Sequence, residues 1–91
     1  MPNRLVVHTQ VADYNKWRPV FEGDKTVREA AGMRLLDLVR AGDRQTDVIL
    51  DFEISDYTKA KAFMESPELK KAMEQGGVIG KPEIYFGETK N

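Results

Sequence analysis

From Thr46 to Ile54 (TDVILDFEI) apolar and polar residues alternate. Val48, Leu50, Phe52 and Ile54 share one face, and Asp47, Asp51 and Glu53 share the other with Ile49. A period of two is that of a half-buried strand. Arg4 to Val11 (RLVVHTQV) is rich in β-branched residues and has no turn former, so it predicts a strand as well. Met33 to Ala41 and Glu83 to Gly87 predict two more, and Gly42-Asp43-Arg44-Gln45 predicts a hairpin connection. Between the strands the period changes. Trp17, Val20, Phe21, Val27, Ala30 and Ala31 recur close to every 3.6 residues after the capping residue Asp13, and Gly32 ends the run. Pro19 lacks an N–H, so the helix is expected to kink or to begin nearer Lys16. Ser55 or Asp56 caps a helix carrying Tyr57, Ala60, Phe63 and Met64. Ser66-Pro67-Glu68 starts another that Gly76-Gly77 closes.

The predicted order is β-α-β-β-α-α-β, an α+β, ferredoxin-like split arrangement. Residues 1–91 then form one domain, with helices over one face of a four-stranded antiparallel sheet. The other sheet face should read polar, but the second strand carries aliphatics on both sides. Met33, Leu35, Asp37 and Val39 alternate with Arg34, Leu36, Leu38 and Arg40. An apolar second face marks an interaction surface, and its simplest closure is a homodimer with sheets face to face.

Composition narrows the chemistry. A chain of 91 residues buries a modest core, for which association compensates. Lys plus Arg number 14 and Asp plus Glu 15, interleaved throughout, so no nucleic-acid partner is expected. No cysteine and a single histidine, His8, leave neither a thiolate nor a multi-histidine metal site. No run approaches 18 apolar residues and no leader pattern is read, so no membrane partner is expected and the cytoplasm is the default location. There is no Gly-rich phosphate loop, and no cofactor is expected: Gly76, Gly77 and Gly80 follow a helix instead of opening one.

Three segments carry a resemblance: Val11-Ala12-Asp13-Tyr14-Asn15-Lys16-Trp17 followed by Phe21-Glu22, Arg28 to Arg34 (REAAGMR), and Lys59 to Phe63 with Ser66-Pro67-Glu68-Leu69. In these the chain resembles the dimeric α+β-barrel superfamily, which includes antibiotic-biosynthesis-monooxygenase-like and cyclase-like small proteins. The resemblance implies a cleft between helices and sheet and two sheets meeting as a barrel. Its members include cofactor-independent quinol-type monooxygenases, polyketide cyclases, haem-degrading enzymes and stress-responsive proteins, and it does not choose among them.

The candidate site residues follow from helical and strand projection. Asp24 and Arg28 fall within the apolar stripe of the first helix, beside Trp17 and Phe21. They could form an i,i+4 ion pair; alternatively a break at Gly23 lets Asp24 cap a second helix; or both enter a pocket, where Arg28 binds a carboxylate or phenolate. Asp37 joins them if it faces the helices. His8 lies on the strand face opposite Leu5, Val7, Thr9 and Val11, toward the barrel interior. It is the leading general base should catalysis occur, as the one group that ordinarily titrates near neutrality. Trp17, Phe21, Phe52 and Phe63 are core or the wall of a cleft for a small aromatic or polyketide-like ligand. In a monooxygenase or cyclase mechanism, His8, Asp24 or Asp37 would remove a proton and Arg28 would stabilise the oxyanion. The rival reading is a non-catalytic barrel whose cleft is filled.

Overall fold

A computed structural model describes residues 1–41 and 46–90. The predicted hairpin connection at 42–45 lies outside the described residues. The elements run β1 (Arg4–Val11), α1 (Tyr14–Gly23), α2 (Lys25–Ala30), β2 (Met33–Arg40), β3 (Asp47–Ile54), α3 (Tyr57–Met64), α4 (Pro67–Gln75) and β4 (Val78–Gly87). The strands form one antiparallel sheet in the order β2-β3-β1-β4, the ferredoxin-like topology.

Local chemistry sets the helix boundaries. The Asp13 carboxylate accepts from the Asn15 N–H at 2.9 Å, Asp56 from Lys59 at 3.0 Å, and the Ser66 hydroxyl from Leu69 at 3.2 Å. α1 begins at Tyr14 and runs through Pro19, earlier than the proline suggests. The Asp13 cap anchors its start, and burial of Trp17 one turn in fixes the first half against the sheet. The helical stretch does divide at Gly23–Asp24, giving α1 and α2. At the end of α2 Gly32 adopts φ +76°, and a Cβ there would lie 2.8 Å from the Ser55 hydroxyl and 3.2 Å from the Asp56 nitrogen. Only glycine fits this crossing of two turns.

Directly paired residues share a sheet face. Leu5, Val7, Thr9 and Val11 of β1 oppose Phe52, Leu50, Val48 and, on the other side, Phe86, Ile84 and Val78. This face packs under the helices and holds the core with Trp17, Met33 and Ala60. The opposite, open face carries Val6, His8, Ile49, Asp51, Tyr85 and their neighbours.

Two strand readings need correction. β4 begins at Val78, five residues before the predicted start. Its pairing with β1 shifts register between His8 and Gln10, and Gly80 there takes φ +69°; an edge strand tolerates Pro82 because one row of its N–H groups needs no sheet partner. In β2 the register shifts between Leu35 and Asp37, so Leu36 is an extra residue. Parity reverses across this bulge. Met33 and Leu35 pair with Ile54 and Phe52 on the helix side, but Leu38 and Arg40, not Asp37 and Val39, continue that side opposite Leu50 and Val48. The Arg40 guanidinium accordingly lies 4.0 Å from the centre of the Tyr14 ring.

The open face is more mixed than the strand patterns predict. Val39, Ile49, Ile79 and Tyr85 are exposed, but Arg4–Asp51 at 3.1 Å and Arg34–Glu53 at 2.9 Å lie among them. Among the described residues no helix is long and apolar enough to cross a membrane.

Candidate functional site

A cavity of about 210 Å³ lies between the helices and the sheet. Val7, Leu50 and Phe52 form its floor, and Trp17, Phe21 and Phe63 its roof. Leu69 and Met73 of α4 close one side, while Lys81, Pro82 and Ile84 of β4 line an edge where Ile84 remains 39 % exposed. The aromatic rings are in mutual contact. Trp17 stacks on Phe21 with centroids 4.8 Å apart and planes 21° apart, and Phe21 reaches Phe52 on the floor at 6.5 Å. Such arrangements give a stiff apolar wall.

Besides Lys81 at the β4 edge, three polar side chains interrupt that wall. Arg28 is 7 % exposed, with its guanidinium 3.8 Å from the centre of the Phe21 ring and Nη1 donating to the Phe21 carbonyl. Burial pulls its pKa below the ordinary arginine value, opposed by the negative charges of Asp24, Glu29 and Glu22. Arginine nonetheless stays protonated in proteins, so the cavity wall carries a fixed positive charge. Asp24 sits at the α1–α2 break and makes no side-chain capping bond. It forms no ion pair with Arg28; the expected break at Gly23 is present and Asp24 takes the N-cap position of α2, but its side chain makes no capping bond there. Thr9, 6 % exposed on the floor, has a hydroxyl without a hydrogen-bond partner among the described residues.

Arg28, Phe21 and Met33 also border a second, outer groove of about 430 Å³, which holds Arg18, Lys25 and Arg34 together with Glu22 and Glu29. The Arg28 side chain therefore stands in the partition between interior cavity and outer groove.

The structure brings together six of the eight candidate residues. Trp17, Phe21, Asp24, Arg28, Phe52 and Phe63 all line the cavity. His8 and Asp37 do not. Strand alternation puts His8 on the open face, where its ring nitrogens lie 3.1 Å from Glu83 and 3.4 Å from Asp47. The β2 bulge turns Asp37 outward opposite Asp51, where it is exposed and accepts from the Leu38 N–H at 3.0 Å. Neither can act on a molecule in this cavity. Sequence reasoning placed Thr9 on the inward face but did not single it out; a hydroxyl in the Leu5-Val7-Thr9-Val11 row was the available signal. Among the described residues no group of three or more His, Asp or Glu side chains is placed to hold a metal ion.

No family model and no curated protein matches the chain in sequence. Solved structures do match it. Several are described as a "putative antibiotic biosynthesis monooxygenase", among them one from Bordetella bronchiseptica, with TM-score 0.72 and 9 % identity over 98 % of this chain and 99 % of that one, and one from Caulobacter crescentus, with TM-score 0.67 and 17 % identity over 99 % and 92 %. Another, from an uncultured marine organism, is described as a dimeric ferredoxin-like protein, with TM-score 0.62 and 15 % identity over 100 % and 90 %. The chain has their fold. At these identities the likeness extends to the whole backbone path and no further.

Proposed function

We propose that this protein binds a small aromatic or polyketide-like molecule in the cavity between helices and sheet, and that it does so as a homodimer. The observation that carries the reading is the apolar, aromatic-walled cavity with Arg28, Asp24 and Thr9 at its edges. Ligand sites are mostly apolar with a few convergent polar groups. The neighbours described as a "putative antibiotic biosynthesis monooxygenase" favour oxygenation as the chemistry. On the cofactor-independent route that the superfamily resemblance implies, a bound quinol-type substrate would lose a proton and supply the electrons itself. It would take one atom of dioxygen at a ring carbon while the other leaves as water, so that the quinol ends as a hydroxyquinone. Asp24 is the one carboxylate that lines the cavity and is the candidate base, in place of His8 and Asp37. Arg28 would hold the oxyanion formed when that proton leaves.

The homodimer is supported by the exposed Val39, Ile49, Ile79 and Tyr85 on the open face and by the dimeric description of one neighbour. A second sheet would cover those side chains.

Trp17 is the only tryptophan and forms part of the wall, so its fluorescence reports occupancy. Titration with 2-naphthol is expected to quench it saturably, and dioxygen uptake with 1,4-dihydroxynaphthalene is expected to exceed the rate without protein. Quenching without uptake would leave a binding protein. Absence of both would favour a filled, non-catalytic barrel.

A further inference from the structure

We infer that the cavity selects an aromatic ligand with two polar ends, an anionic oxygen that docks on Arg28 and a distal hydroxyl or carbonyl that docks on Thr9. This deepens the proposed binding function and rests on it.

The first observation is a cation with no carboxylate in ion-pair reach among the described residues. Arg28 is almost wholly buried, yet among the described residues its one hydrogen bond goes to a neutral carbonyl and it joins no ion pair. Buried charges are ordinarily paired. A guanidinium presents five N–H donors in a planar fork suited to carboxylate or phenolate, and here the protein uses one of them. Phe21, stacked beneath it, holds the fork in place. Asp24 also lines the cavity, but it is only half-buried and unpaired with Arg28, so the donors remain open to a ligand.

The second observation is independent. The Thr9 hydroxyl is buried in the floor and has no partner among the described residues, which is uncommon for a buried polar atom. It belongs to a different element from Arg28, and its strand position is set apart from that of Leu35, a residue that borders the outer groove together with Arg28. Thr9 pairs with Val48 of β3, whereas Arg28 shares its groove with Leu35, which pairs with Phe52. Val48 and Phe52 are four residues apart, about 13 Å along the strand at roughly 3.3 Å per residue. Between the two polar groups the wall is aromatic and aliphatic. One or two fused rings with an oxygen at each end fit that layout.

The test compares 6-hydroxy-2-naphthoate, its 2-carboxamide and plain 2-naphthoate by isothermal titration calorimetry on the intact protein. The hydroxynaphthoate is expected to bind about 10-fold or more tighter than the carboxamide, the usual worth of a charged hydrogen bond. Arg28→Met should erase that difference while leaving the carboxamide affinity near its original value. Thr9→Val should weaken hydroxynaphthoate by about 3- to 10-fold and leave 2-naphthoate unchanged. Equal affinity of wild type for acid and amide overturns the anion assignment, and needs no variant to fold. An equal loss for both naphthoates in Thr9→Val overturns the distal contact. In either case aromatic binding itself stands. If none of the three binds, the proposed function fails and this inference with it.

Discussion

Replacing Arg28 by methionine separates what this side chain does for the fold from what it offers a ligand. The substitution removes a charged hydrogen bond to the Phe21 carbonyl, worth about 1.5–3 kcal/mol, and a cation–ring contact worth roughly 0.5–2 kcal/mol. Against this stands the penalty for burying an unpaired cation, itself several kcal/mol, which methionine does not incur. The Phe21 carbonyl is not orphaned, because the Asp24 N–H still donates to it at 3.2 Å. Methionine is flexible enough to fill the space without strain. These terms nearly cancel, so Arg28→Met is expected to change unfolding free energy by no more than about 1 kcal/mol in either direction. Phe52→Ala, which empties a position 2 % exposed, should lose about 3–5 kcal/mol and shows what a structural residue costs. Urea unfolding followed by circular dichroism, at one fixed protein concentration, measures both. A loss of 3 kcal/mol or more for Arg28→Met would show that the fold already satisfies the guanidinium, and the case for an open anion site would fail.

Gly32→Ala must place a side chain at φ +76° against Ser55 and Asp56; the left-handed backbone costs roughly 1–2 kcal/mol, partly offset in the unfolded chain, and the contacts add to it, so a net loss of about 1–3 kcal/mol is expected in thermal melts. Gly32→Ala combined with Ser55→Ala should recover only part of it, since the Asp56 backbone remains. Tyr85→Phe tests the open face. The Tyr85 hydroxyl and then the His8 ring hold the Glu83 carboxylate below its usual range, so removing the hydroxyl should move the Glu83 titration upward by carbon-13 NMR. With a depressed folded pKa, Glu83 contributes stability that is present above the ordinary carboxylate range and lost as pH falls from that range through the lowered value; in Tyr85→Phe the contribution is smaller and its loss is complete at higher pH. An unmoved titration would refute the contact. Ile49→Lys, in the middle of the open face, should convert a dimeric mass to a monomeric one by light scattering, and a wild-type chain already monomeric in dilute buffer would end the homodimer proposal.

The parts of the fold that obey a single period were legible from residues alone. Val48, Leu50, Phe52 and Ile54 point inward as their alternation requires, and Trp17 and Phe21 meet them from a helix of the expected phase. The same logic placed His8 on the open face and so, once the cavity lay on the other side, removed it from the site. What was hidden is whatever depends on one residue of register or on distance. Nothing in MRLLDLVR announces that Leu36 is supernumerary, yet that residue decides where Asp37 points. Pro19 carries a local preference that the Asp13 cap and the burial of Trp17 override. That, among the described residues, no carboxylate pairs with Arg28 and nothing bonds the Thr9 hydroxyl are facts of three dimensions, since each residue type alone predicts the opposite.

The extra residue in β2 also decides how that strand answers to a change of length. Removing Leu36 would leave Leu35 opposite Phe52 and Asp37 opposite Asp51 with nothing between them, so the segment would run straight and every later side chain would keep its side. Leu38 would stay in the greasy interior, Arg40 on the Tyr14 ring and Asp37 in water. A loss of one codon would thus be absorbed at the bulge. Straightening the strand with Leu36 retained is what would roll Asp37 beneath the aromatic roof and Leu38 out of the hydrophobic seal along the β2 margin.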